Sequence, residues 1–472
     1  MKAQLSKKDE KFREFALNGN MMKVILYVCV PLALYQSLTQ IFKVFDTMMA
    51  SHISATAVSS VAYISQIQIM LSALGSGLAV GASIKVSEAY GAGDYELVRR
   101  RVSTMVSLCA ILGGGVLLFL LPFATSFLEF MKTPEEFISI GSTYFRIELI
   151  ALVITFFNNI YIAIERARGN SKRILWMNMG IVATKLSLTA IFVYVFRMGV
   201  TSIAIATLVS QVTVLFSALV NMSKKDNLFS FSAKAVSFRQ EIVLPMMRLS
   251  VPVIIEKAAF AMGKVIVNSM CTVYGPQTVG ALGISNNIGG ITTMPQSGFQ
   301  EGGSAVISQN RGAKKFERTM SAFKCELVCN LIIGAILMTV SLVCLEQISH
   351  FFAGSDAPFQ EMIKGIYKYE AWGAIPLGLN ASVLSLMYGF GKTKVTLFMN
   401  FCRIFVFRVP VLLLLQKFTE YGSESAGIVM GVSNLLSGVL ALFLGIATII
   451  QVRKEISANK ERDEIRCESK IS

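Results

Sequence analysis

Three long stretches of this chain contain no Asp, Glu, Lys or Arg: Ile53–Ile84, Met198–Met222 and Gly427–Ile450. About 20 apolar residues in a helix are enough to cross the hydrocarbon core of a bilayer. A helix also satisfies its own backbone hydrogen bonds, which lipid cannot do. Only 15% of the residues are charged, whereas soluble domains carry roughly 25%. The chain is therefore predicted to be a helical membrane protein, and a soluble globular domain is excluded.

The apolar segments predict twelve membrane-spanning helices. The first of them is too long for the apolar part of a cleavable signal peptide, and the segment before it is charged and polar. The predicted spans are 22–48, 54–82, 102–126, 135–163, 172–195, 199–222, 245–272, 277–305, 324–346, 358–387, 393–416 and 425–450.

Basic residues alternate between the connections that join these spans. Counting Lys and Arg in these connections and at the adjoining span ends gives 32 on one side of the membrane and 4 on the other. Because cytoplasmic loops carry the excess of positive charge, we expect both termini and the central linker to lie in the cytoplasm, in a cell inner or plasma membrane. The net charge of +15 follows from the same bias. It points to anionic lipid headgroups and not to a nucleic-acid partner, since the basic residues are spread over seven connections.

The two halves of the chain are related by an internal repeat. Six spans, an even number, separate the two copies, so we expect both copies to have the same orientation about an axis along the membrane normal. The matching residues are, at an offset of 221, Pro31 with Pro252, Lys43 with Lys264, Gly81 with Gly302 and Gly91 with Gly312, and, at an offset of 222, Glu148 with Glu370 and Asn158 with Asn380.

The repeat and the spans together predict an all-α membrane protein with 12 transmembrane helices in two pseudo-symmetric six-helix lobes. We expect an N-terminal lobe at 1–222, a cytoplasmic linker at 223–244, a C-terminal lobe at 245–450 and a cytoplasmic tail at 451–472. Transporters with parallel repeats of this kind bind their substrates at the interface between the halves.

Ionisable side chains inside the predicted spans mark the candidate site. A charge at the centre of a bilayer costs on the order of 3 kcal/mol on insertion scales, so each must face the protein interior or a water-filled cavity. Two interpretations stay open for the acids: a site for a coupling ion or substrate, or structural ion pairs such as Asp46 with Lys43, or Glu256 with Lys257 or Lys264. The candidate cation- and substrate-binding residues are Asp46, Glu148, Glu256, Glu370, Lys43, Lys264, Asn158 and Asn380.

Four other charged residues lie nearer the cytoplasmic ends of their spans. Arg403 and Arg408 fall in the cytoplasmic half of the eleventh span. We expect their long side chains to reach towards the headgroups. Glu301 and Glu326 lie near span ends, where we expect water to be within reach.

Pro31 and Pro252 lie inside the first helix of each half and each removes one backbone hydrogen bond. They act either as hinges or as static bends. The sequence contains no nucleophile elbow, metal-ligand cluster or nucleotide-binding loop, so we expect neither an enzyme nor an ATP-driven pump, and no metal or other cofactor.

Four motifs, in order along most of the chain, resemble those of the multidrug and toxic compound extrusion (MATE) family of transporters. They are Phe45–Ala50, which contains an Asp fifteen residues after Pro31, Glu88–Asp94, Gly199–Gln211 and Ile307–Ala313. The resemblance implies export of organic, often cationic, small molecules in exchange for H⁺ or Na⁺. It also implies that Asp46 belongs to the cation site. One group of the family has an Asp in helix five, which has no counterpart here, where the stretch is Lys185–Thr189.

We therefore predict a secondary antiporter that works by alternating access, embedded in the lipid bilayer as a monomer. The many intramembrane basic residues leave a second function open, the flipping of lipid-linked or anionic precursors across the membrane. A membrane-embedded transferase or receptor is the third alternative.

Overall fold

The structure is a computed structural model that describes residues 5–50, 55–131, 133, 135–199, 201–224 and 227–471, with side chains except at 43–50, 55–63, 136, 137, 139, 140, 455, 456 and 458–471. All the regular secondary structure of this part of the chain is helical. Two π-helical segments, Ile191–Val195 and Cys402–Arg408, interrupt the α-helical course. The α-helices are α1 (Lys7–Asn18), α2 (Met21–Ala50), α3 (Ala55–Ala92), α4 (Tyr95–Leu120), α5 (Ala124–Phe130), α6 (Glu135–Ala167), α7 (Ser171–Ala190), α8 (Thr201–Met222), α9 (Gln240–Cys271), α10 (Pro276–Gly312), α11 (Phe316–Val343), α12 (Leu345–Ala353), α13 (Ala357–Ala371), α14 (Ala374–Gly389), α15 (Thr393–Phe401), α16 (Val409–Phe418) and α17 (Glu424–Ile471).

These helices form twelve membrane-spanning units, as the sequence predicts. Nine units within the described residues are long and apolar enough to cross a bilayer on their own. Helix α9, helix α10 and the α13–α14 pair, in which α14 is apolar but short, complete the set. We call α2–α8 the first lobe and α9–α17 the second lobe. The fold class predicted from the sequence is confirmed, while the lobe and linker boundaries given above stay predictions.

The two lobes meet through reciprocal glycine contacts. At each of six glycines, an added Cβ would lie 1.9–2.6 Å from an atom of the opposite lobe, closer than any non-bonded contact allows. Each contact maps onto another one when 221 is added to the number of its first-lobe residue and subtracted from the number of its second-lobe residue. This is the relation expected for two surfaces related by a two-fold axis. The reciprocal pairs are Gly77–Ile254 with Gly298–Ala33, Gly81–Ser250 with Gly302–Cys29, and Gly91–Gln309 with Gly312–Glu88.

The glycine contacts lie in the halves of α3 and α10 that lead to the basic connections. Near them an ion pair joins Arg166 of the first lobe to Glu301 of the second. The other halves of α3 and α10 line a central cavity. The lobes are therefore packed tightly at the end of the bundle with the basic connections, and the cavity lies on the far side of that contact.

Helix α1 lies across the tightly packed end and contacts both lobes. On the first lobe, Arg168 donates two hydrogen bonds of 2.9 Å to the carboxylate of Asp9. On the second lobe, the Arg318 guanidinium donates to the carbonyl oxygen of Gly19, just beyond α1, over 2.7 Å. Asp9 is only 3% exposed. An N-terminal segment that the sequence describes only as a polar tail thus ties the two lobes together.

One predicted span is broken. Residues 358–387 were expected to form a continuous helix, but α13 ends at Ala371 and α14 begins at Ala374. Pro376 explains the position of the break, because proline has no N–H to donate and is tolerated in the first turn of a helix. Gly373, between the two helices, packs against the side chain of Asn434. The break lies beside the central cavity.

Candidate functional site

The central cavity has a volume of about 600 Å³ and brings together half of the candidate residues. Its wall comes mostly from the second lobe, with α2 and α3 of the first lobe on the opposite side. Four candidates from the sequence line it: Glu256, Glu370, Lys264 and Asn380. They come from two distant parts of the chain, α9 and the α13–α14 pair, which the packing around α10 brings to one space.

Glu256 on α9 is buried, with 6% of its surface exposed. Its carboxylate accepts hydrogen bonds from the hydroxyls of Tyr388 and Thr396, both 2.6 Å, and from the amide of Asn400, 2.8 Å. Within the described residues no ion pair joins it to Lys257, one of the structural partners considered from the sequence. Neutral donors therefore hold this acid in place without a direct ion pair to Lys257.

Glu370 lies in the last turn of α13, next to the helix break. Its carboxylate accepts a hydrogen bond from the hydroxyl of Ser285 on α10. Gly289, one turn further along α10, lets this carboxylate pack closely against the helix, since a Cβ there would lie 2.7 Å from a carboxylate oxygen. Transporters place ion and substrate sites at such interruptions of membrane helices, where backbone groups are free to bind.

Arg403 and Arg408 both reach the cavity, so the prediction that they extend towards the headgroups is wrong. Both guanidinium groups donate to the same acceptor, the side-chain oxygen of Asn434, at 3.0 and 3.2 Å. Arg408 is 2% exposed and also donates to the Ser433 hydroxyl at 3.1 Å. The π-helical segment explains the error. In an α-helix, residues five apart point about 140° away from each other, whereas a π-helix pairs them one above the other.

The charges on the cavity wall do not balance. Among the described residues that line it, four are basic and two are acidic. The basic residues include Lys264 and Arg403, which lie over the Phe260 ring at 5.2 and 5.4 Å from its centroid. Glu370 is close enough to Arg408, Lys264 and Arg403 to interact with their charges. The described part of the cavity lining therefore carries a net positive charge when all its groups are ionised.

Asn380 is 4% exposed on the cavity wall, and its side-chain oxygen has no hydrogen-bond partner among the described residues. Its repeat counterpart Asn158 lies in the first lobe, outside the lining of this cavity, and donates to the Gln211 side chain at 2.7 Å. Glu148 is likewise in the first lobe and accepts a 2.7 Å hydrogen bond from Gln68. The structure thus brings together the second-lobe candidates and leaves their first-lobe counterparts apart.

Asp46 and Lys43 lie outside the residues whose side chains are described, although the backbone of α2 includes both. Pro31 and Pro252 lie inside α2 and α9, and each helix continues past its proline. The assignment of Asp46 to a cation site and of the two prolines to hinges stays a prediction.

Glu326 is in a different environment from the one expected. Water was expected to be within its reach, but the residue is 0% exposed. One carboxylate oxygen accepts from the Ser385 hydroxyl at 2.7 Å, and the other has no partner among the described residues. Sequence reasoning also missed Tyr388, Asn400 and Asn434, which position the charged groups of the cavity. The repeat held one clue, because Asn400 matches Asn178 at an offset of 222.

The model of the MatE family matches residues 31–191 and 252–414. The chain belongs to the MatE family. The two matched segments begin at Pro31 and Pro252, so the family match and the internal repeat agree on where each copy starts. MatE proteins are membrane transporters of multidrug efflux, which makes this chain a multi-pass membrane protein of that transporter class.

Individual relatives match over nearly the whole MatE chain. The probable multidrug resistance protein YoeA of Bacillus subtilis is 24% identical over 439 residues, covering 91% of this chain and 94% of YoeA. A solved MATE multidrug resistance transporter of the MOP superfamily, in an outward-facing conformation, superposes with a TM-score of 0.89 at 20% identity, covering 96% and 100% of the two chains. A MOP superfamily transporter from Pyrococcus furiosus, described as having a binding pocket of reverse polarity, gives 0.89 at 19% identity, covering 95% and 99%.

Proposed function

We propose that this MatE protein is a secondary active transporter that exports organic small molecules in exchange for H⁺ or Na⁺. The observation that supports it is the position of two carboxylates, the buried Glu256 and the half-buried Glu370, on the wall of one cavity between the lobes. Intramembrane acids are costly and mark ion pathways in transporters. The name of YoeA, a probable multidrug resistance protein, fits export of organic compounds.

The arrangement of the lobes supports alternating access. The lobes pack closely at the end with the basic connections, which the charge bias places in the cytoplasm with both termini. The cavity lies beyond that contact, so the structure corresponds to an outward-facing state. Export then requires the Arg166–Glu301 ion pair and the glycine contacts to open while the opposite end closes. We propose that one chain is sufficient for this cycle, since both moving lobes belong to it.

Coupling follows if the two states bind the ion differently. A cation bound at Glu256 or Glu370 removes a negative charge from a small, poorly solvated space, and so changes which state and which ligand the cavity favours. To shift such an equilibrium, the ion must bind one state more tightly than the other. The candidate acids Asp46 and Glu148 of the first lobe would act in the same way at a second position.

Reconstitution tests this proposal. The full-length protein in proteoliposomes should take up or release a fluorescent organic substrate when a H⁺ or Na⁺ gradient is imposed, and adding the substrate should drive counterflow of that ion. Glu256→Gln and Asp46→Asn should each reduce the coupled flux. Substrate transport that is unchanged in both variants and independent of either gradient would show that the antiport mechanism is wrong.

The second candidate function, flipping of lipid-linked or anionic precursors, is favoured by the basic wall of the cavity. The Pyrococcus furiosus transporter, with a pocket of reverse polarity, shows that this fold accommodates such a change. Movement of a fluorescent lipid-linked phosphate between the leaflets of proteoliposomes, in the absence of any ion gradient, would support flipping over antiport.

A further inference from the structure

We propose that Arg403, Arg408 and Asn434 form an anion-binding site in the cavity, and that the exported molecule carries a carboxylate or phosphate group. This proposal rests on the transport function proposed above and specifies the chemical class of its substrate. It concerns a part of the cavity wall that is distinct from the acids already described.

The site is built by a local change in helix geometry. Residues Cys402–Arg408 form the π-helical segment between α15 and α16. The wider π-helical turn brings Arg403 and Arg408, five residues apart, to the same side of the helix. Single-turn π segments inside membrane helices are frequent at functional sites. The segment therefore directs two guanidinium groups into one cavity, which a regular α-helix would not do.

The two guanidinium groups form no direct ion pair among the described residues. Both donate to the single amide oxygen of Asn434, which is neutral. Neither forms an ion pair within 4.0 Å among the residues that the structure describes, and the Nε of Arg403 is buried without a partner. Glu370, the acid near them, accepts its hydrogen bond from Ser285 instead. Two positive charges held this close in a poorly solvated space repel each other. The single charge of Glu370 balances at most one of them, so a bound anion would stabilise the pair.

A third cation extends the site. Lys264 and Arg403 both lie over the Phe260 ring, at 5.2 and 5.4 Å from its centroid. This arrangement places an ammonium group on the same wall as the two guanidinium groups. Arginine forks bind carboxylate and phosphate oxygens in a two-point geometry, while lysine contributes a point charge. A carboxylate or phosphate with an apolar body fits this wall, because the body can lie against the remaining, largely neutral surface of the cavity.

Two sources could supply such a group: a soluble organic anion or the phosphate of a lipid-linked molecule. Both present the same oxygens to the arginines. They differ in whether the body of the ligand enters from water or from the bilayer, which a binding experiment can separate.

Binding of two dyes with the same ring system and opposite charge tests the site without any transport. Fluorescence anisotropy would be measured for carboxyfluorescein, an anion, and tetramethylrhodamine ethyl ester, a cation, with the full-length protein in an uncharged detergent. A short-chain polyprenyl phosphate would be added as the lipid-linked competitor. The variants are Arg403→Gln with Arg408→Gln, Arg403→Lys with Arg408→Lys, and the control Lys417→Gln, which removes an exposed charge from α16 of the same membrane span.

The wild type and the control should bind the anionic dye, which raises its anisotropy, or bind the polyprenyl phosphate, which displaces the dye and lowers its anisotropy. The double glutamine variant should bind about tenfold or more weakly, as expected for the loss of charge-assisted hydrogen bonds. The double lysine variant keeps both charges and loses the forks, so it should bind with intermediate affinity. If the glutamine variant does not stay monodisperse, the lysine variant decides, because unchanged anion affinity there contradicts the site.

Equal anion affinity in all variants, or binding of the cationic dye alone, would overturn the proposal. Displacement of the anionic dye by the polyprenyl phosphate would identify a lipid-linked source of the group, and binding of the dye without displacement a soluble one. Failure of the antiport proposal gives a different result, because anion binding needs no gradient. A protein that binds anions through the arginines but shows no ion-coupled flux keeps this site and loses the proposed coupling.

Discussion

Glu148 and Glu370 occupy equivalent positions in the two repeats, but only Glu370 lines the central cavity. The residues in front of them account for the difference. Gln68 donates a hydrogen bond to Glu148, and the position equivalent to Gln68 in the second repeat is Gly289, which leaves Glu370 uncovered. One exchange of glutamine for glycine therefore separates a covered acid from one that faces the cavity.

Replacing Glu370 by glutamine should abolish ion-coupled transport. The amide keeps the hydrogen bond from Ser285 but removes the negative charge that attracts a cation in a poorly solvated space. Flux driven by a H⁺ or Na⁺ gradient in proteoliposomes should fall at least ~10-fold, the change expected from one lost ionic contact. Glu361→Gln is the matched control, since Glu361 lies on the same helix with 73% of its side chain exposed. Equal coupled flux in both variants would contradict a role for Glu370.

Adding one methyl group at Gly81 should weaken the closed contact between the lobes. A Cβ at this position would lie 2.3 Å from the Cα atom of Ser250, so the helices must move apart. Gly114→Ala on α4 is the control, because no atom lies within 4 Å of its added Cβ. Spin labels at the equivalent exposed positions Arg100 and Ser321, introduced through an unnatural amino acid, should report a longer distance in Gly81→Ala only. An unchanged distance would show that this contact does not hold the lobes together.

Two buried glutamates should respond differently to the same substitution. Glu326 is 0% exposed and forms no ion pair among the described residues, so removing its ionisable group should change the stability by less than about 0.5 kcal/mol or increase it. Glu165 is 1% exposed but forms an ion pair with Arg168 at 3.1 Å and accepts hydrogen bonds from Asn170 and Asn221. Glu165→Gln should destabilise by about 1–3 kcal/mol.

Thermal unfolding of both variants in detergent checks this contrast. The Glu165→Gln protein should lose its folded, monodisperse state at a clearly lower temperature than the Glu326→Gln protein. The opposite order would mean that the carboxylate of Glu326 has an ionic partner or role that its surroundings do not indicate.

Loss of the Arg318 side chain should release α1 from the second lobe. Its guanidinium group donates to the carbonyl oxygens of Ala16 and Gly19, at 3.3 and 2.7 Å. Each hydrogen bond from a charged donor contributes about 1.5–3 kcal/mol. Arg318→Ala should therefore increase the rate of amide hydrogen exchange in residues 7–18 by ~10-fold or more. Lys324→Ala, on an exposed face of the same helix, should not, and equal exchange in both proteins would show that α1 is held by other contacts.

Much of the fold could be predicted from the sequence because it depends on two regular features, the long uncharged stretches and the internal repeat. Uncharged stretches predicted the spans, and the offset of 221 predicted two related lobes whose glycines turned out to be reciprocal contacts. Glu256 and Glu370 were predicted to face the protein interior because a charge is costly in lipid, and both line the central cavity.

The basic part of the cavity was not predictable in the same way. Arg403 and Arg408 point in different directions under α-helical periodicity, and nothing in their local sequence indicates a π-helical turn. The break before α14 was also missed, although Pro376 was visible, because a proline in a long apolar segment is compatible with either a kink or an end. Glu326 was placed near water from its distance to the span end, whereas its burial depends on Gly303 of a neighbouring helix.

The reciprocal contacts between the lobes also say something about how such a chain can arise. Each of these glycines contacts a residue of the other repeat, and the same contact is formed again with the roles of the two repeats exchanged. Gly81 packs on Ser250, for example, and the equivalent Gly302 packs on Cys29, the equivalent of Ser250. A shorter ancestral chain with only one copy of this surface would thus be complementary to itself, and two identical molecules inserted in the same direction could pair through it. Fusion of two copies of its gene would then have required only a segment to connect them, because the interface between the copies already existed.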